Sequence, residues 1–165
     1  MSYKAEIKEM VKKIPTAANP KELEARVTEI LNTLYTRALA ESKKTGHSVE
    51  SITYEILEGL EEGLKGHDKE EIETILHNAS ETITNLIHSC AQESIFKSNK
   101  NLQAAAENLK ETIAAEKAHL LESMEAFNAF AADHKHPELT QKLHETETKV
   151  KHLLKTVTDK IKEHL

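Results

Sequence analysis

DKEEIETILHNASETITNLIHSCAQESIFKSNKNLQAAAENLKETIAAEKAHLLESMEAFNAFAAD, residues 68–133, contains neither glycine nor proline. How this stretch is read decides the fold. Ile72, Ile75, Leu76, Ala79, Ile83, Leu86, Ile87, Cys90, Ala91 and Ile95 share one face at helical spacing. Leu102, Ala106, Leu109, Ile113, Leu120, Met124, Phe127 and Ala131 continue as a second run. Unbroken, the stretch makes a rod of roughly 100 Å at about 1.5 Å per residue. Ser98-Asn99-Lys100-Asn101, between the runs, is a weak helix former able to cap and turn. A break near Asn99 gives two helices that fold back on each other. The hairpin is preferred, because a domain of this length buries little along a rod.

Towards the N-terminus, Asp68 with Glu71 makes a capping-box-like start, and Gly66 is expected to end the helix before it. That preceding helix starts at Ser48 and turns Val49, Ile52, Ile56, Leu57, Leu60 and Leu64 inward. Its seam continues in phase through Gly59, Gly63 and Gly66, where an apolar row becomes a row without side chains. A glycine inside a helix costs roughly 1 kcal/mol against alanine, so the row needs a reason. Close backbone packing against a neighbouring helix is the expected one, and a groove for a partner or ligand the alternative. Asn19-Pro20 starts an earlier helix with Leu23, Val27, Ile30, Leu34 and Ala38 on its seam, broadened by Leu31, Tyr35 and Leu39; Gly46 ends it. Residues 3–14 carry Tyr3, Ile7, Met10, Val11 and Ile14 on one face and Lys4, Lys8 and Lys12 on another, a short amphipathic helix expected to dock on the bundle ahead of lying on a membrane.

Towards the C-terminus, Pro137 opens the last helix with Glu138 beside it near the positive end of the dipole. Leu139, Leu143, Val150, Leu154, Val157, Ile161 and Leu165 drift across its face, as in a globular bundle. The expected fold is all-α, a bundle of five to six helices, largely antiparallel, in a single domain over residues 1–165. Residues 1–18 form an accessory helix and linker, and 19–165 the bundle.

Composition agrees. Four glycines and three prolines in 165 residues leave few turn formers. Of 28 acidic residues only Asp68, Asp133 and Asp159 are aspartates, the rest being the helix-tolerant glutamate. Net charge is −6, with residues 1–19 and 134–165 each at +2 around an acidic middle. Only Arg26 and Arg37 are arginines, which argues against specific nucleic-acid recognition. Cys90 alone cannot form an internal disulfide, and MSYKAEIKEM has no apolar core of a signal peptide, so a cytoplasmic location is expected. No run of about 18 apolar residues is present.

Ten histidines are the place to look for chemistry. Asp133, His134 and His136 are candidate metal ligands, with His144 as a remote fourth; the competing reading is a corner where one helix frays and Pro137 begins another. Glu116 and His119 form one Glu-x-x-His unit, where a di-iron bundle needs two. Glu116 at the seam between Ile113 and Leu120 is expected to snorkel outward. Glu73, His77 and His88, with Glu81 near the line, share a face expected to be wet because it lies opposite the apolar stripe. Neither a phosphate loop nor a nucleophile elbow is present, and Cys90 reads as a small core side chain. No catalysis and no cofactor are expected.

KELEARVTEILNTLYTRALAES (21–42) and SVESITYEILEGLEEGL (48–64) resemble the opening of an uncharacterised all-helical bacterial family, in which an ELEARV-type helix precedes an EGxxxGL-type one. The resemblance covers residues 21–64 and implies a bacterial cytosolic helical protein, with no activity to carry over. The expected role is a non-catalytic interaction or structural protein that binds a partner protein or itself, a dimer being expected. The stripes of residues 20–45 and 68–97 are broad enough that one bundle is not expected to cover every row. The alternatives are a histidine-based metal or small-ligand binder, and an amphipathic protein on a lipid or granule surface.

Overall fold

A computed structural model describes the backbone of residues 2–15, 18–98 and 102–164, and side chains among them except at 43, 93–98, 102–109 and 160–164. Among the described residues six helices follow one another: α1 (Tyr3–Lys12), α2 (Pro20–Thr45), α3 (Val49–Gly63), α4 (Lys69–Ser98), α5 (Leu102–Asp133) and α6 (Pro137–His164). No strand occurs among the described residues, and the chain is an all-α helical bundle. The expected break at Asn99 falls on residues 99–101, outside the described ones. On either side of it α4 and α5 pack together, His88 Nδ1 lying 2.5 Å from Glu116 Oε1, so Lys69–Ser98 and Leu102–Asp133 are two packed helices.

Local chemistry sets most helix ends. Ser2 Oγ accepts from the Ala5 N–H, Asn19 Oδ1 from Glu22 and Ser48 Oγ from Ser51, and Pro20 occupies a first-turn position. Each such cap stabilises its helix by roughly 1 kcal/mol. Gly46 closes α2 at φ 73°, a left-handed conformation that glycine takes without steric cost. Gly66 does not end α3 as expected. The helix closes at Gly63, where the Leu64 N–H turns back to Leu60 and Glu61, and Gly66 sits beyond it in the α3–α4 turn at φ 104°.

Polar contacts give relative directions. Tyr3 to Glu41 and Glu6 to Arg37 run α1 and α2 in opposite senses. Lys4 opposite Glu58 and Lys8 opposite Glu62 run α1 and α3 in the same sense, as Glu73 to Leu139 and Ser80 to Thr146 do for α4 and α6. One continuous core joins all six helices, with Tyr35, Phe127 and Phe130 its largest fully buried side chains. The second row of α2, at Leu31, Tyr35 and Leu39, is buried as well. For α2 the expected uncovered row is absent, since α2 packs against α1, α3 and α4 together. Among the described residues Leu121 is the large hydrophobic side chain left exposed.

The expected docking of α1 is what the structure has, and α3's glycines make it possible. Ile7, Val11 and Ile14 are buried. A Cβ on Gly59 would fall inside the contact radius of Ile7 Cγ2 and the Lys4 carbonyl, and 2.9 Å from Lys4 Cα. One on Gly63 would lie 2.8 Å from Val11 Cβ. Gly66 takes no part, with open space where a Cβ would sit. Burying an Ile or Val side chain contributes about 1.5–3 kcal/mol, whereas pairs such as Lys4–Glu62 stand in solvent and are screened by it, so the apolar contact decides the docking.

Gly59→Ala is expected to destabilise the chain by about 1–3 kcal/mol through overpacking, although alanine is the better helix former by about 1 kcal/mol. Urea denaturation checks this, with Gly63→Ala costing less because its nearest backbone atom, the Lys8 carbonyl oxygen, stands 3.1 Å away.

Candidate functional site

The turn between α5 and α6 is built by its own backbone. His136 N–H bonds to the Ala131 carbonyl (2.9 Å) and Lys135 N–H to Ala132 (3.3 Å), the paired closure of a Schellman motif, with Lys135 left-handed at φ 56°. The His136 carbonyl then accepts from the Thr140 N–H at 3.0 Å in the first turn of α6. The left-handed residue turns the histidines on either side of it towards one neighbour, α3.

There they meet a residue that the sequence does not single out. His134 Nδ1 lies 2.8 Å from Glu61 Oε1, and His136 Nε2 bonds to Glu61 Oε2. A carboxylate only accepts, so each imidazole donates from the nitrogen facing it. Glu58 stands behind, its Oε2 at 3.6 Å from His134 Nε2. The ring of His134 stacks on Phe130 at 4.3 Å, and Tyr54 meets Phe130 edge-on at 5.9 Å. Asp133 turns elsewhere, accepting from the Tyr54 hydroxyl at 2.8 Å. Burial, and then the bond to Asp133, push the Tyr54 phenol up to about 12.

Asp133, His134 and His136 therefore do not bring three donor atoms to one point: both histidines face Glu61, and Asp133 is bonded to Tyr54. The two histidines of the corner clamp a carboxylate. His144, the remote fourth candidate, is exposed on α6 with its Nδ1 3.8 Å from Glu147. Of the glycine row, Gly59 and Gly63 are filled by α1, which makes them a packing seam.

The polar face of α4 is the larger correction. Expected to be wet, Glu73 is 1% exposed and accepts from the Leu139 N–H at 3.0 Å, placing its carboxylate at the positive end of α6. Ser80 and Thr146 share a 3.0 Å hydroxyl bond along the same contact. His77 faces Glu81 and Glu145, and His88 reaches the wholly buried Glu116. Glu116 does not snorkel outward, because α4 supplies an imidazole at the seam. The physical reason is neighbour number. α4 packs against α2, α3, α5 and α6, so the side opposite its main stripe is covered too.

No family model, curated protein or solved structure matches this chain. The resemblance over residues 21–64 gains no support from these comparisons, and function rests on geometry.

Replacing Glu61 with Ala leaves His136, a 7% exposed residue, without the acceptor for its Nε2 proton. The expected loss is about 1–3 kcal/mol in urea denaturation, from an unsatisfied buried donor. Glu58→Ala, which leaves both close bonds intact, is expected to cost under about 1 kcal/mol.

Proposed function

We propose that the protein is a non-catalytic helical interaction protein that pairs with a second copy of itself across α5 and α6. The observation that carries this reading is Leu121, 53% exposed on α5 while the other large apolar side chains described are covered. It lies in an open groove of about 540 Å³ lined by Lys117, Leu121, Leu154, Lys155, Thr158 and Asp159. Lys155 and Asp159 stand one turn apart on α6, so a two-fold arrangement sets each lysine opposite an aspartate around an apolar centre. The groove of about 520 Å³ between α1 and α2 is less suited to a partner. Its charges are engaged with one another, Arg37 Nη2 lying 2.5 Å from Glu6 and the Tyr3 hydroxyl 2.5 Å from Glu41.

The non-catalytic part of the reading is supported by what the buried polar groups do. Glu73 caps α6, Glu61 holds the α5–α6 corner, and Tyr35 bonds Thr53 at 2.8 Å between α2 and α3. A surface-active role is less well supported, because α1 would have to give up its contacts with Gly59 and Gly63 to offer Ile7 and Val11 to lipid. No helix among the described residues is long and apolar enough to cross a membrane.

Sedimentation equilibrium is expected to show a concentration-dependent dimer for the unaltered chain and a monomer for Leu121→Glu. Helicity should not change, because that side chain is largely exposed. A chain that stays monomeric at high concentration would refute the pairing.

A further inference from the structure

His77 and Glu81 are four residues apart on α4, one above the other on the same face. Because α4 and α6 run in the same sense, the contact that pairs Glu73 with Leu139 and Ser80 with Thr146 also brings Glu145 of α6 over them. His77 Nε2 stands 3.5 Å from Glu81 Oε1 and 3.7 Å from Glu145 Oε2. One donor atom from each residue lies within 4.8 Å of the other two.

Those distances do not suit a shared proton. A charge-assisted N–H···O bond closes to about 2.7–2.9 Å, and Nε2 is buried with no hydrogen-bond partner. They do suit an ion. A tetrahedral centre with bonds of about 2.0–2.2 Å to imidazole nitrogen and carboxylate oxygen separates its ligands by about 3.3–3.6 Å along each edge. The flanking bonds, Glu73 to the Leu139 N–H and Ser80 to Thr146, fix the α4–α6 spacing before any ion arrives, so little needs to be reorganised.

We infer that His77, Glu81 and Glu145 form a site for one divalent transition ion bridging α4 and α6. An imidazole among the donors selects a borderline ion such as Zn²⁺ or Co²⁺ over Ca²⁺ or Mg²⁺, which take all-oxygen shells. Three protein donors leave a fourth position to water. The ion ties two helices that are far apart in the chain, and since a preformed site belongs to the folded state, it stabilises that state by mass action. This inference is independent of the dimer reading.

Titration of the chelator-treated full chain with Zn²⁺ by calorimetry, and with Co²⁺ by visible absorption, tests it. One ion per chain is expected, with the d–d bands of a four-coordinate site and a higher melting temperature in Zn²⁺. His77→Ala is expected to abolish the site. Glu145→Gln, at a residue whose side chain is 74% exposed and whose loss the fold tolerates, is expected to weaken binding by about tenfold or more. His144→Ala, next to Glu145 but turned towards Glu147, is expected to bind as the unaltered chain does. Absence of stoichiometric uptake, unchanged affinity in Glu145→Gln, or a loss in His144→Ala equal to that in Glu145→Gln would each overturn the assignment.

Discussion

The backbone of α1 approaches that of α3 as closely as it does because Gly59 and Gly63 have no side chains, and the rest of the bundle is arranged around that helix pair. One face of α3 is given to the glycine seam. Another buries Ile52, Ile56 and Leu60 in the core, and a third presents Tyr54, Glu58 and Glu61 to the end of α5. A short helix thus fixes the position of α1, and through Glu61 the corner at which α6 sets out. Apolar burial supplies the energy of this arrangement. The charged pairs at its rim, half exposed to water, mainly set register.

Burying polar groups is costly unless they are bonded, and several buried polar groups of the bundle join segments distant in the chain. Tyr35 and Thr53 join α2 to α3, Glu116 and His88 join α5 to α4, and Glu73, Ser80 and Thr146 join α4 to α6. Each fixes one rotational setting of one helix against another, which apolar stripes alone leave loose. The α4–α6 set also positions His77 under Glu145, so the inferred ion site follows from the same register that orders the bundle.

What the sequence made legible was local. Asn19-Pro20, Ser48, Gly46 and Pro137 mark helix ends through chemistry within four residues, and the structure has ends there. Gly66 misled because a glycine suits the turn after a helix as well as its last residue. Among the described residues periodicity found the main apolar stripe of each helix, yet it assumes one buried face. It therefore placed Glu73 and His77 in water and counted α2's second row as surplus, although a helix with three or more neighbours has no wet side of that width. The corner histidines were legible as a turn. Their partner Glu61, more than seventy residues earlier, was not, because Glu61 stands among other glutamates on α3 and only the fold selects it. Glu145 was missed for the same reason.

The central claim is that α1 lies against the glycine face of α3, and a nuclear Overhauser effect between the Ile7 methyl groups and the Gly59 α-protons tests it most directly. The account predicts a strong cross-peak between them, with a second from Val11 to Gly63. Their absence, with α1 resonances otherwise those of a free helix or coil, would contradict it.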